Sequence, residues 1–337
     1  MRENTSTEWV NKEVDSEGNF NRQKNQFETP FGEGEGELPV EPGRYRLLWA
    51  PVCPWAHRSV IVRKLLGLED VISLGTADPK RPDVPRSDWA FTLDEGDVDP
   101  VLGIHYISEA YLAADPDYTG RFTVPALVDI PSGKVVNNDY FNLTLYFETA
   151  WKPYHKEGAP DLYPEDLREE IDKLNVWLFE NVNNAVYRAQ FAESLQAFKD
   201  GYETFFAGLE AMDKRLENQR FLFGDYITDS DIRLYTTLAR FDYSYSRNIG
   251  PCVHRLVDYK NLWTYARDLY QIPAFRHNTY FKDFAASEDL THAPEDYWEN
   301  VYYDIVVQET DWDTIWSQPT GREALSKDPA HKWKAEI

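Results

Sequence analysis

Of the two cysteines in the sequence, Cys53 in PVCPWAHR lies where a side chain could do chemistry. The apolar run 45–50 (YRLLWA) before it reads as a buried strand, and 59–66 (SVIVRKLL) after it repeats apolar residues at helical spacing. A thiol at a strand-to-helix turn sits near unpaired backbone N–H groups and the positive end of the helix dipole. Both favour the thiolate, which is the nucleophile. His57 and Arg58 are expected to add positive potential, and Pro54 suits the first helical turn, where its missing N–H would have been unpaired. Ala56 stands where a Cys-x-x-Cys pair would have its second cysteine, so a resolving thiol must come from outside. That points away from a dithiol oxidoreductase and toward a mixed disulfide with a small thiol, cleared by a second thiol molecule. Cys252 is distant in sequence and is read as packing.

The elements that must position Cys53 follow from the apolar pattern. At roughly 150 residues per domain, 337 residues make two domains. Residues 1–43 form a polar, irregular N-terminal arm; its FGEGEGE run is no phosphate loop, because the interleaved glutamates repel phosphate. The region 44–152 predicts β-α-β followed by α-β-β-α: a second strand at 71–74, a polar surface loop at 78–99, a helix at 107–114, strands at 125–130 and 134–136, and a helix at 141–151. The region 165–290 predicts helices alone, with long ones at 167–181 and 191–216. Thr228 and Asp231 have the spacing of a capping box, flanked by an Ile227–Ile232 staple. The stretch 291–337 carries Trp298, Trp312, Trp316 and Trp333, and reads as a packed extension. The fold class is therefore α/β plus all-α.

Charge excludes several partners. Lys and Arg number 35 against 58 Asp and Glu, a net charge of −23 that repels nucleic acid and anionic membranes. No apolar run reaches the length of a membrane span and the N-terminus has no signal-like core, so a cytoplasmic location is expected. Seven scattered histidines without HExxH, and two cysteines, predict no metal site.

The segments PVCPWAHRSVIVRKLLGLEDVI, ADPDYTGRFTVPALVD, VVNNDY, YITDSDIRLYTTLARFD and YARDLYQIP resemble the glutathionyl-hydroquinone reductases, the Xi class of glutathione transferases, over roughly residues 44–287. The resemblance implies a thioredoxin-like N-terminal domain, a glutathione-transferase-type helical C-terminal domain, and a homodimer. It implies glutathione as co-substrate and a glutathionylated hydroquinone or similar aromatic molecule as substrate. Cys53 would attack the sulfur of the conjugate. Tyr187 and Tyr245 match the family tyrosines at the aromatic-substrate site, Val124 and Pro125 its cis-proline element, and Trp89 its pocket-flanking tryptophan.

The sequence departs from the family at three places. Where the family has Asn-Asn-Glu-Ser, with the last two residues holding the γ-glutamyl group, this chain has Asn137, Asn138, Asp139 and Tyr140. Asp139 is one methylene shorter and Tyr140 much bulkier, which alters both reach and pocket volume. The run KDFAAS after Phe281 replaces a pair of tyrosines, and the C-terminal extension is the third departure, with no function assigned to it. Two further readings therefore stand beside the glutathione enzyme: the same chemistry with mycothiol, bacillithiol or γ-glutamylcysteine, or a noncatalytic transferase-like scaffold that binds aromatic ligands.

Overall fold

The structure is a computed structural model that describes residues 13–81, 88–285 and 307–327. Its sheet begins with β1 (Tyr45–Trp49), a strand buried along its whole length. Arg46, the one charged residue of β1, reaches Asp99 at 2.7 Å, a pair buried at both ends. A turn leads into α1 (Pro54–Leu66), where every residue except Lys64 is buried. A helix buried on nearly every side must be covered all round, and α1 lies between the sheet and the helices that follow. Gly67, at φ 72°, ends α1 in the left-handed conformation that glycine adopts without a Cβ clash.

β2 (Ile72–Thr76) runs parallel to β1, a long loop leads to α2 (Ile107–Ala114), and β3 (Ala126–Asp129) and β4 (Lys134–Asn137) close the sheet. The strand order is β2-β1-β3-β4, with β3 antiparallel to both β1 and β4. This is the expected strand and helix order, with shifts of a residue or two at the ends. The helix expected at 141–151 is shorter: α3 spans Leu143–Glu148 and passes into a single 3₁₀ turn.

The rest is helical. α4 (Arg168–Leu178) continues into a π-helical turn over Phe179–Asn183, followed by α5 (Ala185–Gln190) and α6 (Leu195–Arg215). The single helix expected at 191–216 thus begins only at Leu195, because Ser194 accepts from the Ala197 N–H at 3.2 Å and caps it there. Gly201 lets α6 approach α5, since a Cβ at this position would stand 2.6 Å from the Ala189 nitrogen. The wholly buried α7 (Asp229–Arg240) follows, then α8 (Lys260–Tyr270), α9 (Pro273–Arg276) and α10 (Trp312–Trp316).

The capping box at the start of α7 is present: the Asp231 carboxylate accepts from the Thr228 N–H at 2.8 Å, and Ile227 and Ile232 are both buried. Asp231 also takes bonds from the Leu222 N–H and the Tyr265 hydroxyl. The extension packs, with Trp316 fully buried against Phe281, Trp263 and Tyr270. Trp298 and Trp333 lie outside the described residues.

The arm is irregular but fixed. Glu28 bridges Asn137 at the sheet edge, and the Phe27 and Asn138 main chains are joined. Phe31 enters the core against Tyr45 and Trp151.

Where sheet and helices meet, Glu148 of α3 is buried at 7% exposure beside the Asp229 carboxylate. Burial, and then the neighbouring Asp229 carboxylate, hold its pKa well above the ordinary glutamate range. The folded chain keeps this proton to higher pH than the unfolded chain. The group's contribution to stability is therefore complete below the unfolded value of 4.5 and is lost as pH rises toward the folded value. Glu148→Gln, which mimics the protonated state, is expected to melt above the wild type at about pH 8 and level with it at about pH 4. Parallel melting curves across that range would contradict the assignment.

Candidate active site

The Cys53 turn is set by local bonds. The Cys53 N–H donates to the Ala50 carbonyl at 3.0 Å, and the Cys53 carbonyl accepts the first helical bond, from the His57 N–H. Cys53 is the N-cap of α1, with φ −81° and ψ 116°, and Pro54 opens the helix as expected. The Cys53 side chain makes no capping bond. Its Sγ lies 3.2 Å from the Val124 carbonyl and donates to it as a thiol. The Val124–Pro125 peptide is cis, so the sequence-derived cis-proline element is present and beside the thiol.

The helical half holds this turn from outside. Arg240, the last residue of α7, donates to the Pro51 carbonyl at 2.7 Å and the Val52 carbonyl at 3.0 Å. It also donates to His57 Nδ1 at 3.0 Å. His57 is wholly buried, and burial, followed by the Arg240 charge, pushes its pKa well below the ordinary histidine range. The expectation that His57 adds positive charge is therefore corrected: it is a neutral acceptor, and the charge there is that of Arg240. The Arg240 guanidinium is covered by Phe284, at 4.0 Å, in the segment where the family's tyrosines are replaced.

Aromatic rings form the wall facing the thiol. Tyr187 on α5 and Tyr245, in the π-helical turn Phe241–Tyr245 after α7, bring their hydroxyls to 3.3 Å. Burial raises both phenol pKa values, Tyr245 the more strongly, and the field of Cys53 acts on both. Each therefore remains a proton donor at neutral pH. Trp55, in the first turn of α1, packs 4.9 Å from Tyr140 and 5.9 Å from Tyr187. Two guanidiniums lie 4.6 Å from its ring: Arg58, as sequence reasoning expected near the thiol, and Arg22 of the arm. Arg58 is 1% exposed, and burial lowers its pKa to about 9, which leaves it charged at neutral pH.

The remaining sequence-derived residues divide. Trp89 is buried in the loop before α2, beneath the Arg81 guanidinium at 4.0 Å, and its ring nitrogen has no hydrogen-bond partner among the described residues. Asp139 is nearly buried and already engaged: it accepts from Asn142 Nδ2 at 2.7 Å, from the Phe141 and Asn142 N–H groups, and from Asn25 of the arm. It serves as a cap for the chain entering α3. Tyr140 places its ring between Trp55 and Phe179. Cys252 is half-buried and far from this cluster in the chain, and burial pushes its thiol up to about 11, as befits a packing residue.

Sequence reasoning did not find Arg22, Asn184 or Arg240. Arg22 lies in a polar arm without periodicity, and Arg240 is one of many charged residues on a helix. Neither carries a local signal, since both act through contacts with residues more than 150 positions away.

Residues 52–150 match the glutathione S-transferase N-terminal domain family and residues 186–268 the C-terminal domain family. The chain is 37% identical over 254 residues to glutathionyl-hydroquinone reductase YqjG of Escherichia coli K12, covering 75% of this chain and 76% of that protein. It belongs to the glutathionyl-hydroquinone reductases, the Xi class of glutathione transferases. A glutathione transferase structure from Gordonia bronchialis is 42% identical at a TM-score of 0.77, covering 89% of this chain and 91% of its own. The Xi-class enzyme of Phanerochaete chrysosporium follows at 36% and 0.75, with 80% and 88% covered. The Escherichia coli protein has been solved with glutathione bound, and superposes at a TM-score of 0.72 with 34% identity, covering 87% of this chain and 92% of that one. Among the described residues no helix is long and apolar enough to cross a membrane, and no group of side chains could hold a metal ion.

In this Xi-class chain the Arg240 tie makes a direct prediction. Arg240→Ala leaves the Pro51 and Val52 carbonyls unpaired, at about 1–3 kcal/mol each, and frees the turn that carries Cys53. Urea denaturation is expected to show that loss, with Arg240→Lys intermediate. Unchanged stability in the alanine variant would show that the tie does not hold the turn.

Proposed function

We propose that the chain is a cysteine-dependent glutathionyl-hydroquinone reductase. The observation that carries this reading is the Cys53 thiol at the N-terminus of α1, uncapped and within the field of the paired Tyr187 and Tyr245 phenols. In the first half-reaction the Cys53 thiolate attacks the conjugate's sulfur. An S–S bond forms as the aryl C–S bond breaks, and its electron pair passes to the ring carbon, which takes a proton. The two sulfurs are oxidised to the mixed disulfide and the ring is reduced to the free hydroquinone. In the second half-reaction a glutathione thiolate attacks the mixed disulfide, releasing oxidised glutathione and the Cys53 thiolate. With Ala56 in place of a second cysteine, no internal thiol at this turn competes with that step.

Tyr187 and Tyr245 are the proton donors for the departing ring, and Trp55 with Tyr187 forms its apolar wall. Val124 and Trp89 border the thiol peptide. The cytoplasmic location and the homodimer belong to the same proposal and rest on membership of the family. A second reading keeps the chemistry but changes the thiol. It is favoured by one observation: Asp139 is committed to capping α3 and Tyr140 occupies the serine position. Mycothiol, bacillithiol and γ-glutamylcysteine are the alternatives.

Chromatography of a glutathionyl-hydroquinone incubated with glutathione tests the proposal. Wild type is expected to release free hydroquinone and oxidised glutathione in equal amounts, and Cys53→Ala only the amount released without protein. The double variant Tyr187→Phe, Tyr245→Phe is expected to lose about 10²-fold, the scale of general-acid catalysis. Release by Cys53→Ala at the wild-type rate would refute the cysteine mechanism. A reactive Cys53 with no release would favour another thiol, and a Cys53 inert to alkylation the noncatalytic scaffold.

A further inference from the structure

The arm crosses from the helical half to the sheet directly over this site. Before Arg22 it is pinned to the helices, where the Glu193 N–H donates to the Gly18 carbonyl and Ser194 Oγ to the Glu17 carbonyl. After Arg22 it is pinned to the sheet side, where the Gln23 side chain accepts from the Arg121 N–H at 2.7 Å, and the Asn138 side chain accepts from the Phe27 N–H. Arg22 is thereby held in place between the two halves. Its Nε donates to Asn184 Oδ1 at 2.8 Å, and its guanidinium stacks 4.5 Å from Tyr187 and 4.6 Å from Trp55, with Tyr140 at 6.0 Å.

No ion pair involves Arg22 among the described residues, and its Nη2 is buried without a hydrogen-bond partner. Glu13, the arm acid whose field reaches Arg22, is already spent on Arg121 at 2.8 Å. A half-buried cation with one nitrogen inaccessible and no counter-ion is costly, and Arg58 beside the same indole adds a second charge of the same sign. In a chain of net charge −23, this pocket is locally positive.

We infer that Arg22 is the residue that receives a carboxylate of the thiol peptide, which makes the arm part of the binding site. The inference rests on the function proposed above and assigns the anchor of its co-substrate. A guanidinium fork with a free nitrogen matches a carboxylate, which is ionised at neutral pH, better than a ring hydroxyl, which is neutral in the resting hydroquinone. The residues at the usual γ-glutamyl position cannot take that charge: Asp139 is itself an acid with its oxygens occupied, and the Tyr140 N–H already donates to the Asn138 carbonyl.

The test compares wild type, Arg22→Gln and Arg22→Lys on four conjugates: the parent glutathionyl-hydroquinone, one lacking the γ-glutamyl α-carboxylate, one with the glycyl carboxylate amidated, and one with its ring hydroxyls methylated. Binding of S-methylglutathione, and of the same compound lacking each carboxylate, is followed in parallel by tryptophan fluorescence. Circular dichroism melting confirms that each variant is folded. Arg22→Gln is expected to raise KM for the parent, and the Kd for S-methylglutathione, by roughly 10- to 100-fold, the range of a hydrogen bond to a charged group, with a smaller change in kcat. Arg22→Lys should recover part of that loss. The penalty should vanish on whichever peptide lacks the recognised carboxylate and persist on the methylated ring. A penalty that vanishes only on the methylated ring would place the anion on the ring and overturn the inference. An equal penalty on all four conjugates, or none, would make Arg22 a packing residue and overturn it as well. Because binding of S-methylglutathione needs no turnover, a wild type that binds it through Arg22 but releases no hydroquinone would sink the reductase reading alone.

Discussion

The turn that carries Cys53 is held by a side chain from the other half of the molecule. Arg240 closes α7 and donates to two carbonyls of the turn and to His57 one helical turn further on. Backbone carbonyls buried between packed elements need partners, and the turn's own residues supply none for Pro51 and Val52. The thiol's position therefore depends on the helical half being in place, and every residue of α7 is buried. The capping box at its start and Arg240 at its end make α7 a rigid beam between its packed N-terminus and the chemistry.

Around that beam, charge is distributed against the composition. A strongly acidic chain places Arg22, Arg58 and Arg240 around the Cys53 turn, and commits its nearby acids elsewhere: Asp139 to a cap, Glu13 to Arg121, Asp229 to Arg233. Partnered acids leave this region positive, which favours an anionic peptide over a neutral ligand. His57 contributes by geometry, accepting from Arg240 as a neutral ring. The aromatic rings cover the faces of these guanidiniums.

Much of this was legible in the sequence. Strand, turn and helix around Cys53 follow from an apolar run that gives way to helical spacing, and the capping box follows from Thr228 and Asp231 at their fixed separation. Helix interruptions were less legible: the break before Leu195 rests on a single Ser194 cap, and the π-helical turns at 179–183 and 241–245 have no period of their own. The charged shell around the thiol was illegible, because Arg22 and Arg240 meet it only after the chain has folded. The sign of His57 was misread for the same reason: sequence gives the residue type, while its protonation is set by burial and by an arginine 183 positions away.

On the proposed mechanism, Cys53 takes the sulfur of the conjugate and leaves the ring as hydroquinone. The most direct measurement is the intact mass of the protein after mixing with one equivalent of a glutathionyl-hydroquinone in the absence of free thiol. One glutathionyl group is expected on Cys53, with a matching amount of free hydroquinone and loss of the adduct when glutathione is added. An unmodified protein beside intact conjugate, or an aryl group attached to Cys53 in place of the glutathionyl group, would contradict it.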